Sequence, residues 1–121
     1  MKPTGRPLRV RSAAEWRAWL EANHVQASEA WVEISKKHAE TPGVSLVEAT
    51  EEALCFGWID SAMQPVDDER YVLRYTPRRK GSAWSEVNKR RVASLIEQGR
   101  MTDAGLAAID QAKRDGKWDR A

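Results

Sequence analysis

Cysteine is almost absent from the 121-residue sequence, which contains only Cys55. A single cysteine cannot form an intramolecular disulfide, so a disulfide-stapled scaffold is excluded and a reducing compartment is indicated. No apolar run approaches the roughly 18 residues that span a bilayer. The basic first residues are not followed by the apolar region of a secretory signal, so we expect a cytoplasmic protein without a membrane span.

The sequence also lacks the patterns of common catalytic and metal sites. No group of Cys, His, Asp and Glu has the spacing of zinc ligands, and no Asp-rich calcium loop is present. A nucleophile elbow and a phosphate-binding P-loop are absent as well. Cys55 is far in sequence from both histidines, which favours a core thiol over a nucleophile. We therefore expect no metal and no cofactor, and no reaction class is indicated.

Composition is typical of one globular domain with a modest core, since 41% of residues are hydrophobic and 31% are charged. We predict a basic N-terminal tail over 1–11 and a single domain over 12–121. Six tryptophans outnumber the two tyrosines and one phenylalanine. We expect most of them at the core or its edge, with Trp31 half-exposed because it shares a strand face with Glu33.

The net charge of +2 hides a strong asymmetry along the chain. Residues 12–69 carry twelve acidic and three basic side chains, whereas residues 70–100 carry nine basic and two acidic ones. A basic block of this kind indicates an anion-binding surface. The alternative is that the two blocks pack side by side and neutralise each other.

Hydrophobic periodicity and capping residues predict four helices and three strands. The expected helices cover about 13–23, 46–56, 84–98 and 103–115, and the expected strands cover 30–36, 58–62 and 71–76. Leu46, Val87, Ile96 and Leu106 are expected to face inward. The order α-β-α-β-β-α-α predicts an α+β fold, with about four helices packed on a small, mainly antiparallel sheet.

Three signatures run through the sequence, over Ala53–Ser61, Thr76–Asn88 and Gly99–Trp118. In this order and spacing they resemble the YdeI/OmpD-associated family, also called bacteriocin-protection proteins. The resemblance implies a role in bacterial stress or antimicrobial-peptide resistance and an association with the cell envelope. It supplies no reaction, cofactor or catalytic residue. Members often continue with a helical, basic segment, which we expect this chain to lack.

The basic segment that follows Pro77 contains the strongest candidate for a binding site. Arg78 and Arg79 precede a predicted helix start, where backbone N–H groups and the helix dipole favour an anion. Ser82 and Ser85 add hydroxyl groups that can donate hydrogen bonds or cap the helix. Asn88 and Arg91 lie further along the same helix face.

Asp60 is the other candidate for chemistry, because it follows a helix stop and enters a strand. Its carboxylate has two interpretations: a general base, or the partner of Arg74 or Arg78 in an ion pair that fixes the hairpin. Trp58 and Trp84 belong to the family signatures, and a tryptophan rim beside a basic loop would suit stacking ligands.

Three functions stay open on the sequence alone. The first is a binding module for an anionic small molecule or an acidic protein surface. The second, less favoured because residues 12–69 are acidic, is a nucleic-acid-binding protein. The third is an enzyme with Asp60 as base. The candidate ligand-binding residues are Trp58, Asp60, Arg74, Arg78, Arg79, Ser82, Trp84, Ser85, Asn88 and Arg91.

Overall fold

The structure is a computed structural model that describes residues 7–40, 43–79 and 81–119. It contains the seven predicted elements in the predicted order, so the α+β class is confirmed. The elements are α1 (Ala13–Asn23), β1 (Ala30–Ser35), α2 (Leu46–Cys55), β2 (Trp58–Pro65), β3 (Arg70–Pro77), α3 (Glu86–Glu97) and α4 (Asp103–Arg114).

The three strands form an antiparallel sheet in the order β1-β3-β2. Because β2 and β3 are joined by a tight turn, they pair as a hairpin, with a register shift between Asp60 and Ala62. Leu8 adds a short parallel contact to the free edge of β1. The end of the predicted tail therefore joins the domain, while residues 1–6 lie outside the described residues.

Each helix begins at a hydroxyl side chain that accepts a hydrogen bond from a backbone N–H three residues on. Ser45 and Glu48 form the complete capping box that their spacing predicts. Glu15 instead reaches one residue further back, to the backbone N–H of Arg11. Caps of this kind each contribute about 1 kcal/mol to stability.

The core lies between α2 and one face of the sheet, and α1 covers it at one side. Trp16 and Leu20 of α1 and Tyr75 of β3 are fully buried there, and the Trp16 indole donates to the Ala49 carbonyl at 3.0 Å. Helix α4 approaches α2 so closely that a Cβ at Gly105 would collide with the Cys55 carbonyl. No helix in the described ranges is long and apolar enough to cross a membrane.

Several side chains expected inside are exposed, and one expected to be half-exposed is buried. Leu46, Val87, Ile96 and Leu106 are 39–52% exposed. For the three on α3 and α4, the reason is that these helices pack mainly on α2 rather than on the sheet. A helix that packs against a single neighbouring helix buries only a narrow stripe, which in α3 consists of Val92 and Leu95. Trp31 is only 4% exposed, and its indole donates to Glu29 at 3.0 Å.

Candidate functional site

Much of the charge asymmetry along the chain is resolved by ion pairs between its two blocks. Arg70 pairs with Glu33 at 3.1 Å, Arg74 with Glu29 at 3.2 Å, and Arg100 with Glu52 at 2.9 Å. The two blocks thus neutralise each other in part. The candidate site is defined by the basic side chains that take no part in these ion pairs.

A cleft of about 450 Å³ opens where β2 and β3 meet the segment that follows β3. We call it the arginine cleft. Its side chains come from alternate positions of the two strands, on the sheet face opposite Tyr75. The lining residues are Ser28, Ile59, Ser61, Arg74, Thr76, Pro77, Arg78, Arg79 and Ser82. As far as the structure describes it, the lining contains three arginines and no carboxylate.

Arg74 forms a neutralised wall of this cleft. Its Nε and Nη2 atoms both donate to Glu29 at 3.2 Å, and its Nη1 donates to the Ser61 hydroxyl at 3.2 Å. The predicted ion pair between Asp60 and Arg74 is therefore replaced by one with Glu29. Arg74 shapes the cleft, but its charge is already balanced.

Arg78 occupies the most unusual environment in the cleft. Its guanidinium carbon stacks 3.7 Å from the centre of the Trp84 ring, and Nη1 donates to the Ala83 carbonyl at 3.4 Å. Its Nε and Nη2 atoms are buried and have no hydrogen-bond acceptor among the residues that the structure describes. A buried polar group without a partner costs about 1–3 kcal/mol, and more when it is charged.

Burial also disfavours the positive charge of Arg78. Loss of hydration lowers the pKa of Arg78 from 12.5 to about 10, and the charge of Asp60 only partly opposes this effect. Asp60 lies beyond ion-pair distance of every cation in the described part of the chain. The predicted ion pair between Asp60 and Arg78 is thus absent, and a counterion near Arg78 would restore its ordinary pKa.

A smaller cleft of about 40 Å³ adjoins the arginine cleft. Arg78, Arg79 and Ser82 line both clefts, and Asp115 lines the smaller. Asp115 is held by the backbone N–H of Gly81 at 3.1 Å and by the Gln111 amide at 2.9 Å. Arg79 is exposed and makes no ion pair with a described residue.

The remaining predicted site residues lie outside the arginine cleft lining. Trp58 is buried edge-on against Trp19, and Trp84 is buried beneath Arg78, so neither offers an exposed stacking face. Ser85 is the cap of α3 and accepts from the Asn88 backbone at 3.1 Å. The Asn88 side chain accepts from Arg91 at 2.8 Å.

Asp60 is exposed on β2 and does not line either cleft around Arg78. Within the described residues, no cluster of three or more His, Cys, Asp or Glu side chains is placed to hold a metal ion. The geometry therefore offers Asp60 neither a bound substrate position nor a metal partner for base catalysis.

The sequence-based prediction included Arg74, Arg78, Arg79 and Ser82 but missed the neutral lining residues. Ile59, Ser61 and Thr76 share a sheet face with Arg74, which follows from strand alternation only once the hairpin register is known. Ser28 lies between α1 and β1, distant in sequence from the hairpin. No local signal places it beside Arg78.

Comparison with known proteins adds a family but no activity. A family model described as "Domain of unknown function (DUF8412)" matches residues 8–108, which include every lining residue of the arginine cleft. Neither the curated proteins nor the solved structures contain a significant match. Since the match covers most of the chain, the protein belongs to the DUF8412 family, a domain of unknown function.

Proposed function

We propose that this protein is a binding module whose ligand is an anion held in the arginine cleft. The observation that carries the proposal is the edge of Arg78, where two charged N–H donors are buried without an acceptor in the described ranges. Arg79 supplies a second cation without a carboxylate partner among the described residues. An anion bound there would give the Arg78 donors acceptors and offset the cost of burying the charge.

The neutral part of the cleft supports the same function. The hydroxyls of Ser61, Thr76 and Ser82 line the cleft and can donate hydrogen bonds to anion oxygens. A partly enclosed site strengthens each charge interaction, because the effective dielectric constant is lower than in water. The volume of about 450 Å³ lies in the range of small-molecule sites.

The anion could also belong to an acidic protein surface instead of a small molecule. Such a surface would need a protruding carboxylate to reach Arg78. Nucleic-acid binding is less well supported, because several cations of the basic block are paired and the tryptophans named for stacking are buried. An enzyme with Asp60 as base lacks a cleft around that carboxylate.

The resemblance to the YdeI/OmpD-associated family extends this proposal to a physiological role. Under it, anion binding serves bacterial resistance to stress or to antimicrobial peptides. The test is to express the chain and its Arg78→Ala variant in a susceptible bacterium and to measure the inhibitory concentration of a cationic peptide. Protection by the unmodified chain alone supports the role, and no protection by either contradicts it.

The binding proposal is tested by calorimetric titration with inorganic phosphate and sulfate at constant ionic strength. Arg78→Ala should abolish binding while the Tm stays nearly unchanged, because the loss of the stack on Trp84 is offset by the removal of two buried donors that have no acceptor in the described residues. Arg79→Gln should weaken binding about tenfold or more, the value of one charge-assisted hydrogen bond. Arg90→Gln, an exposed arginine on α3 outside both clefts, is the matched control and should bind normally.

Each result of this titration bears on the proposal. Equal weakening by all three substitutions would show diffuse charge attraction and would contradict a defined site. A large fall in the Tm of Arg78→Ala would show that Arg78 supports the fold instead. Retention of the protein on random DNA, with steep salt dependence, would favour the nucleic-acid alternative.

A further inference from the structure

The free edge of Arg78 has a specific shape. In a planar guanidinium, the Nε–H bond and one Nη2–H bond point in the same direction from one edge. These are the two nitrogens that lack acceptors, whereas Nη1 is used by the Ala83 carbonyl and the ring face is used by Trp84. Two parallel donors match two oxygens of a single anionic group, as in bidentate Arg–carboxylate and Arg–phosphate pairs.

The charge of the arginine cleft distinguishes between those two anions. Arg74 is balanced by Glu29, while Arg78 and Arg79 have no carboxylate partner within the described ranges, so the lining presents two uncompensated positive charges. A phosphomonoester carries a charge of about −1.5 to −2 at pH 7, and a carboxylate carries only −1. The third phosphate oxygen also has potential donors in the Ser82 and Thr76 hydroxyls that line the cleft.

The walls of the cleft limit the rest of the ligand. Among the described residues of the lining, Ile59 and Pro77 are the only apolar side chains, and no aromatic ring is exposed there. Trp84, the nearest ring, is covered by the guanidinium that it stacks against. The cleft therefore has no platform for a nucleobase, and its hydroxyls suit a compact, hydroxylated body.

We propose that the ligand of the arginine cleft is a compact phosphomonoester, held by a bidentate contact to the Nε–Nη2 edge of Arg78. This inference rests on the proposed anion-binding function and names its substrate class. Because that edge is shielded from water in the free chain, a phosphate reaches it only when the side chains around Arg78 shift. Binding then replaces two missing hydrogen bonds and places the dianion against Arg79.

The test compares glycerol 3-phosphate with glycerate, two small hydroxylated molecules that differ in the anionic group. Calorimetry at pH 7.5 and constant ionic strength should show the phosphate ester binding about tenfold or more tightly than the carboxylate. Arg78→Lys, which keeps the charge and removes the fork, should lose about tenfold or more in glycerol 3-phosphate affinity. Arg90→Lys is the matched control and should bind like the unmodified chain.

A measurement on the unmodified chain keeps the test valid if Arg78→Lys does not fold. In an arginine-selective ¹H–¹⁵N spectrum, glycerol 3-phosphate should shift the Nε–H resonance of Arg78 downfield, as a new charge-assisted hydrogen bond does. The resonance of Arg74, already bonded to Glu29, should move less. A spectrum in which Arg78 does not respond to saturating ligand would overturn the bidentate contact.

The outcomes separate this inference from the function on which it rests. If glycerate binds as tightly as the phosphate ester, the ligand class is not a phosphomonoester, while the proposed anion-binding function stands. Equal glycerol 3-phosphate affinity in Arg78→Lys and Arg90→Lys would contradict the bidentate contact of Arg78. The anion would then be held by positive charge alone. If the unmodified chain binds neither probe nor inorganic phosphate at millimolar concentration, both proposals fail.

Discussion

Glu52 is a buried carboxylate that joins three parts of the chain. Its two oxygens accept from Arg17 of α1 and from Arg100, just before α4, each at 2.9 Å. Arg17 also donates to the backbone carbonyl of Arg100 at 2.9 Å, so the three residues form a closed network. Breaking a network of this kind from the carboxylate side leaves two arginines without their shared partner.

We expect Glu52→Gln to lower the free energy of unfolding by about 2–3 kcal/mol, because a neutral amide cannot balance two partly buried guanidinium groups. Urea denaturation followed by tryptophan fluorescence measures the change. Glu51→Gln is the control: Glu51 is 3.8 Å from Arg100 and more exposed, so we expect a loss below about 1 kcal/mol. Equal effects of the two substitutions would contradict a special role for Glu52.

The β2–β3 hairpin depends on one aspartate in its turn. The Asp67 carboxylate accepts the backbone N–H groups of Glu69 at 2.8 Å and Arg70 at 2.9 Å. The bond from the Glu69 backbone, with that from Arg70, lowers the pKa of Asp67 below its usual 3.8. Because β2 and β3 carry most of the arginine cleft, this turn helps to set the position of the site.

A lowered carboxyl pKa makes the contribution of Asp67 depend on pH with a definite sign. The contribution is complete above the unfolded-state pKa near 3.8 and is lost as the pH falls through the lower folded-state pKa. We expect Asp67→Asn to be less stable than the unmodified chain at pH 7, with the difference shrinking below pH 3.8. Asp68→Asn, the next residue in the turn, serves as control, and ¹³C titration of the Asp67 carboxyl gives its pKa directly.

At the scale of the molecule, α2 is the centre of the fold. It contacts α1, α3, α4 and strands β1 and β2, and six of its ten residues are buried. Cys55, its last residue, is fully buried beside Arg17, and burial raises the pKa of its thiol. The only cysteine of the chain thus reports whether the whole core is closed.

We expect Cys55 to react with a thiol reagent such as dithionitrobenzoate only when the core opens. At pH 8 without denaturant, labelling should be slow, since the thiol is inaccessible and mostly protonated. In urea, the labelled fraction should follow the fluorescence unfolding curve, as expected for cooperative two-state unfolding. Complete labelling well before the fluorescence transition would instead show local opening around α2.

Local patterns in the sequence were sufficient to predict the order of the helices and strands. Hydroxyl caps at Ser12, Ser45, Ser85 and Thr102 mark the helix starts, because they satisfy backbone N–H groups within three residues. The strand-like alternation of side chains and the turn at Asp67 were sufficient to predict the β2–β3 hairpin. The inward face of α3 was predicted too wide, since Val87 and Ile96 match a helical stripe whether the helix packs on a sheet or on α2.

Local sequence was enough to predict the elements, their caps, the antiparallel hairpin and a basic segment around Arg78, because each depends on residues close together in the chain. Which cations are neutralised depends on the tertiary fold, since strand register brings Glu29 and Arg74 together. The fold also stacks Arg78 on Trp84 and buries its Nε–Nη2 edge without an acceptor in the described part of the chain. Such contacts depend on distances between separate elements, which no local pattern specifies.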